Sequence, residues 1–276
     1  MAKTAKDYYL TEVDKMPHSI YCMHDFMGED GIEPHQHNKD QLLYTEGGLV
    51  HVKVQGTTYF LPARHYMWIP AGLMHSIHPG STSIIMRNLY FPVKEGNNFD
   101  MQVGIYPVTD LLLQMLIFSN QWNGDILAEQ ETAFSFVASL RLILPQLSQN
   151  KLRLKLPMPG DKRLIQIIRH MDEYMHQGIL LPQLAQQFGF SERSLSRLFK
   201  ADIEMSFVQY HTIQRMLKAL NLLLDQKMEI KEVAALVGYN SIPTFSATFR
   251  KILGTSPSIY AKRSDGFSLK TQNDRI

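Results

Sequence analysis

Residues 181–200 read LPQLAQQFGFSERSLSRLFK, and residues 230–251 read IKEVAALVGYNSIPTFSATFRK. The two stretches carry one pattern. Ala185 stands four residues before Gly189, and Ala234 four before Gly238. Each glycine is followed by an aromatic, Phe190 or Tyr239, and then by a serine, Ser191 or Ser241. An apolar pair at i and i+4 comes next, Leu195 with Phe199 and Phe245 with Phe249; the second copy has one extra residue after its glycine. Each position has a physical cause. A small alanine lets two helices cross closely, and glycine accepts the positive φ of a tight turn. Serine caps the helix that follows. The i, i+4 pair buries the inner face of that helix and leaves the outer face free for a groove. One such hairpin also fits a plain helical bundle. Two copies in register point to a pair of helix-turn-helix units.

The pattern extends on both sides of the repeat. Leu164, Ile167, Ile168, Met171 and Met175 keep the 3–4 spacing of one amphipathic helix. With residues 181–188, 192–201, 206–225, 230–237, 242–253 and 257–263, the spacing predicts an all-α unit of about seven helices over 161–264, followed by a tail at 265–276 expected to be mobile. A chain of 276 residues has room for a second domain at roughly 100–200 residues each. Charge separates the two halves. Residues 1–160 carry a net −3 and residues 161–276 a net +5, so a polyanionic partner is expected at the back half. A single cysteine, Cys22, allows no internal disulfide and no thiolate zinc site. The opening MAKTAKDYYL lacks the apolar core of a secretory signal. The richest apolar stretch, residues 111–118, is broken by Gln114 and too short to span a bilayer. The expected location is the cytoplasm.

The front reads as strands. Residues 49–55, LVHVKVQ, place Val50, Val52 and Val54 on one face, with Gly47-Gly48 and Gly56 as turn signals. Short apolar runs follow at 57–61, 66–69 and 83–91, separated by turns at Pro62-Ala63-Arg64, Pro70-Ala71-Gly72 and Pro79-Gly80. Such spacing predicts an antiparallel sandwich or barrel over 1–104. Two long apolar segments, 108–122 and 129–147, predict a helical pair over 105–147 that covers a barrel face or meets its copy in a second subunit. Residues 148–160, within a stretch holding three prolines and a short basic run, read as a linker. The expected fold class is therefore multidomain α+β.

The C-terminal unit resembles the AraC-type (AraC/XylS) transcription regulators end to end. The resemblance rests on Leu184-Ala185, Gly189-Phe190-Ser191, the run Leu195-Ser196-Arg197-Leu198-Phe199-Lys200, Arg215, Val233-Ala234, Gly238-Tyr239, Phe245-Ser246, Phe249-Arg250-Lys251, and residues 254–260, GTSPSIY. Tyr239 and Leu253 stand where phenylalanine is usual, and Ala261 where arginine is usual, with Lys262 and Arg263 beside it. The resemblance implies two recognition helices held about one DNA turn, roughly 34 Å, apart. On the first, Arg193, Ser194, Ser196, Arg197 and Lys200 would meet double-stranded DNA, and Arg193 and Arg197 share one face suited to bidentate guanine contacts. On the second, Thr244, Ser246, Arg250 and Lys251 would do so, but Ile242, Pro243 and Ala247 also face outward and offer bases few hydrogen bonds. The expectation is that the first helix discriminates bases and the second holds phosphates. A homodimer, and contact with RNA polymerase if the protein is an activator, are the implied partners.

Residues 33–48, EPHQHNKDQLLYTEGG, and 69–75, IPAGLMH, resemble the two motifs of the cupin barrel, a common sensor domain of such regulators. His35 and His37 are two apart, so on a strand they face one way. The second motif would bring His75 to meet them. Three imidazoles suit a divalent metal, with Gln41 where metal-binding cupins usually carry glutamate. Alternatively the histidines hydrogen-bond a polar ligand or one another. A small organic effector is the expected occupant, with His35, His37, Tyr44, Trp68, His75 and Tyr90 as candidate lining residues. A metal-dependent cupin enzyme fused to a DNA-binding tail is the rival reading. A barrel that only dimerises is a third.

Overall fold

The computed structural model describes residues 12–27, 31–46, 48–79, 84–93, 102–147, 152, 154–224 and 226–265. The tail expected to be mobile lies outside them from residue 266 on. The first half is two antiparallel sheets. Its strands are β1 (Ile20–Met27), β2 (Ile32–His35), β3 (Lys39–Glu46), β4 (Leu49–Val54), β5 (Thr57–Pro62), β6 (His65–Ile69), β7 (His75–Pro79), β8 (Ile84–Pro92), β9 (Gly104–Pro107), β10 (Gly124–Ile126) and β11 (Lys155–Pro157). One sheet runs β10-β1-β8-β3-β6-β9, the other β11-β5-β4-β7-β2.

Alternation decides what faces what. Val50, Val52 and Val54 of β4 point inward, as their spacing predicts, with Leu61 and Ile77 from the same sheet. Leu43, Met67, Ile69 and Tyr90 meet them from the six-stranded sheet. The next residues along those strands, Leu42, Tyr44, Tyr66, Trp68, Leu89 and Phe91, point to the opposite face of that sheet. Two helices cover this outer face: α1 (Asp110–Phe118), capped by Thr109, and α2 (Glu131–Leu147). Their Leu112, Leu116, Val137, Leu140 and Leu144 are fully buried against it. Arg141 of α2 pairs with Asp40 of β3 at 2.7 Å and lies 5.9 Å over the rings of Trp68 and Phe91.

Two boundaries differ from the sequence reading. β9 runs across the expected barrel limit at residue 104, pairing with β6 from Trp68↔Gly104 to His65↔Pro107. The stretch read as a linker is partly sheet: Lys155–Pro157 pairs with β5, and Leu152 bridges Ile105. The cause is its alternation, since Leu154 and Leu156 are buried while Lys155 is exposed.

The second half is helical among the described residues: α3 (Lys162–Glu173), α4 (Leu181–Gln187), α5 (Glu192–Ile203), α6 (Phe207–Leu224), α7 (Ile230–Leu236), α8 (Ile242–Leu253) and α9 (Pro257–Asp265), seven as the spacing predicts. α6 runs between the two helical hairpins and buries Tyr210, Ile213, Met216, Leu217 and Leu220. Asp161 caps α3 by accepting from the Arg163 amide at 2.8 Å, and Asp202 of α5 accepts from the Gly160 amide at 2.9 Å. The halves touch. Tyr260 of α9 donates its hydroxyl to the Ala63 carbonyl at 3.1 Å and stacks on His65 with ring centroids 6.2 Å apart.

Candidate functional site

The two repeats fold alike. The turn glycines have φ of +71° at Gly189 and +76° at Gly238. After each, the aromatic amide closes the turn on the alanine carbonyl, Phe190 to Ala185 and Tyr239 to Ala234, both at 2.8 Å. Ser191 caps α5 by accepting from the Ser194 amide at 3.1 Å, and Ser241 caps α8 by accepting from the Thr244 amide at 3.4 Å. Leu195, Phe199, Phe245 and Phe249 are fully buried. Residue by residue, the exposure of 191–200 repeats in 241–250. Arg193, Ser194, Arg197 and Lys200 are exposed on α5, and Ser196 is half-buried. On α8, Thr244, Arg250 and Lys251 are exposed and Ser246 is half-buried. Ser246, Ala247, Arg250 and Lys251 line a shallow depression on that helix.

Arg215 of α6 holds the second turn. Its Nε donates to the Val237 carbonyl, and its guanidinium lies 3.6 Å over the Tyr239 ring. That is a structural task, so this charge is spent inside the domain.

In the barrel, the three histidines do converge. His35 ends β2, His75 opens β7 directly opposite it, and His37 follows β2 in the turn to β3. One ring nitrogen from each lies within 4.8 Å of the others, and all three residues are buried. Each Nδ1 faces a backbone carbonyl: His35 that of Glu33 at 2.8 Å, His37 that of Lys39 at 2.6 Å, His75 that of Leu73 at 2.8 Å. A carbonyl only accepts, so each Nδ1 carries the proton and donates it, and each Nε2 keeps a lone pair. Burial lowers the pKa of all three, that of His75 to about 3 with His35 adding to the effect. They are neutral at pH 7.

Gln41 joins them from β3. Its Oε1 lies 3.2 Å from His37 Nε2, and its amide nitrogen donates to Asn88 at 2.8 Å and to the Tyr90 hydroxyl at 3.2 Å. Tyr90 also packs edge-on against His37, with centroids 4.9 Å apart. Tyr44 and Trp68 do not line this site. They occupy the opposite face of their sheet, against α1 and α2, because Gln41 and Tyr44 have opposite parity on β3 and Trp68 pairs with Leu42. Sequence reading missed Asn88, which orients Gln41 from β8; only the β3–β8 register brings it there.

Two family models match the chain. The family model for the AraC-like ligand binding domain matches residues 19–172, more than half of the chain. The model for a helix-turn-helix domain matches residues 184–263. The chain is 28% identical over 253 residues to the HTH-type transcriptional regulator NimR of Escherichia coli K12, covering 88% of this chain and 87% of NimR. It is 28% identical over 151 residues to the uncharacterized HTH-type transcriptional regulator YfiF of Bacillus subtilis, covering 54% of this chain and about half (47%) of YfiF. Among solved structures, the C-terminal domain of AraT, a response regulator from Geobacillus stearothermophilus, is 31% identical, with 37% of this chain and 86% of that one covered and a TM-score of 0.36. With an AraC-like ligand-binding domain in front and paired helix-turn-helix units behind, the chain belongs to the AraC-type family of transcriptional regulators.

Proposed function

We propose that this regulator reads a specific DNA sequence with two unequal helices and is controlled by a ligand held at the barrel histidines. The observation that carries the DNA reading is the shared exposure pattern of α5 and α8, on which the arginines are placed differently. Arg193 and Arg197 stand exposed on one face of α5 and suit guanine edges. Ser194, Ser196 and Lys200 flank them. α8 offers Thr244, Ser246, Arg250 and Lys251, with the two cations in its last turn, and grips phosphates.

Control passes through the contact between the halves. The Tyr260 hydroxyl on the Ala63 carbonyl and β11 on β5 join the DNA-binding unit, 161–264, to the sensor barrel. A ligand that binds the joined and the separated arrangements unequally shifts DNA affinity. The protein acts as a homodimer in the cytoplasm, with two copies gaining avidity on paired half-sites; contact with RNA polymerase belongs to the case in which it activates. The dimer reading is supported by Leu111, Phe118 and Leu142, which are more than half exposed on α1 and α2. Phe118, Trp122 and Phe136 cluster there.

The test is a binding panel of mutated sites. Arg197→Ala should cost about 1–3 kcal/mol at the preferred site and relax base preference at one position. Arg250→Ala should weaken binding uniformly and reduce the salt slope by about 1. The reverse assignment of the two effects would refute it.

A further inference from the structure

We infer that α8 reads one base pair by a methyl group: Ala247, with Ile242 and Pro243 beside it, is the specificity-determining position of the second unit, and it takes the C5-methyl of a thymine in the major groove. This base contact rests on the DNA reading above and adds to the phosphate grip assigned to α8.

The two repeats show what replaced the arginines. Because residues 241–250 repeat the exposure of 191–200, each outward place on α5 has a counterpart on α8. Ile242 stands where α5 has Glu192, Pro243 where it has Arg193, and Ala247 where it has Arg197. Every charged residue in the first two turns of α5 is thus an apolar one on α8. All three replacements remain at the surface, Ile242 being 41% exposed. Pro243 lies in the first turn of the helix, where its missing N–H costs nothing.

Helical spacing sorts this face into two adjoining rows, Ile242–Ser246–Arg250 and Pro243–Ala247–Lys251. Both rows are apolar at their N-terminal end and cationic in the last turn. The N-terminal residues of a recognition helix meet base edges, and cations at its other end suit phosphates. The flanking charge therefore selects DNA as the occupant of the apolar end. Hydrogen-bonding capacity is low there. The Ser241 hydroxyl oxygen accepts from the Thr244 amide at 3.4 Å, and the Thr248 hydroxyl donates to the Thr244 carbonyl at 2.9 Å. Thr244 and Ser246 are the short polar groups beside the apolar rows, where α5 presents two guanidinium forks.

The shape agrees with the chemistry. Ser246, Ala247, Arg250 and Lys251 line a shallow depression. Ala247 has the smallest side chain of the four, and the two cations have the longest. A small dent of this kind fits the thymine methyl, the apolar group that base edges display in the major groove. Burying one methyl is worth a factor of about 4 in affinity.

The test uses the full chain, at fixed salt, on a duplex that it selects from a random pool. Each thymine of that duplex is replaced in turn by deoxyuridine, which removes the methyl and keeps every hydrogen-bonding group. Wild type and Ala247→Arg are compared by the ratio of thymine to deoxyuridine affinity. Ala247 is exposed, and arginine is a good helix former, so this variant folds. One thymine should show a ratio of about 4 in wild type and about 1 in Ala247→Arg, while ratios elsewhere are the same in both. At that position 5-methylcytosine should bind wild type about 4-fold more tightly than cytosine does, because it returns the methyl to the same place in the groove. Ala247→Arg should instead favour guanine there, as the arginines of α5 do. No thymine whose ratio depends on residue 247, or no gain from 5-methylcytosine, overturns the methyl contact. Sequence-specific binding without that dependence leaves the regulator reading standing, whereas a chain that selects no sequence from the pool overturns both.

Discussion

Gly238→Ala and Gly189→Ala make the sharpest test of how the two units are built. Both glycines have left-handed φ, which costs a residue with a Cβ about 1–2 kcal/mol. Their surroundings differ. A Cβ at Gly189 meets nothing within 4 Å. One at Gly238 falls 3.2 Å from the Gly178 amide nitrogen and closer still to the Met175 carbonyl oxygen. Both neighbours are backbone, so neither rotates away, and the turn after α3 must shift; overpacking of this kind adds about 1–3 kcal/mol. The totals are about 1–2 kcal/mol for Gly189→Ala and about 2–5 kcal/mol for Gly238→Ala. At a urea slope of about 2 kcal/mol/M, the midpoints fall by about 0.5–1 M and about 1–2.5 M. The assay separates the halves, because both tryptophans, Trp68 and Trp122, belong to the barrel and its helices. Circular dichroism at the helix band follows the DNA-binding unit, while tryptophan fluorescence follows the barrel. The expected outcome is a shifted helix transition with an unshifted fluorescence transition. Equal destabilisation by the two substitutions would refute the backbone-contact account of Gly238.

Three other expectations follow from buried polar contacts. Arg141→Met removes the ion-pair partner of Asp40 inside the α2–sheet interface, leaving it the Ala71 amide alone, and should cost about 3 kcal/mol by tryptophan-monitored unfolding; adding Asp40→Asn should recover part of it, and a double variant as unstable as the single one would count against the pair. Tyr260→Phe removes the hydroxyl bond to Ala63, worth about 1 kcal/mol, so trypsin should cut within 148–160 about 5-fold faster, and an unchanged rate would show that this bond does not hold the halves together. His211 is buried in α6 beside Arg215; burial first, and then that charge, lowers its pKa from 6.5 to about 4. The unfolded chain therefore takes up this proton first. The associated stability is full above pH 6.5 and is lost as pH falls toward 4, by up to about 3 kcal/mol. His211→Gln should flatten that slope in pH-dependent unfolding of the helical half.

The DNA-binding half was legible in the sequence because its determinants are local. An alanine, a glycine, a serine cap and an i, i+4 apolar pair each act within a few residues, and the spacing between them is the structure. The inward valines of β4 were legible for a similar reason, since strand parity sufficed; the two motifs foretold the meeting of His35, His37 and His75, although His37 reaches it from the turn after β2 and not by strand parity. What only the tertiary structure decided are the places where a residue's role depends on a distant partner. Tyr44 and Trp68 read as pocket lining because both faces of β3 and β6 are apolar, and a period of two then carries no direction; α1 and α2 on the outer face supply it. Residues 155–157 read as linker because prolines and charges surround them, yet β5 offered an open edge and the leucine alternation filled it. Asn88 turns Gln41 through a register set between β3 and β8, and Tyr260 reaches Ala63 across 197 residues of sequence. Local chemistry names the parts of this regulator, and long-range pairing chooses which faces of those parts meet.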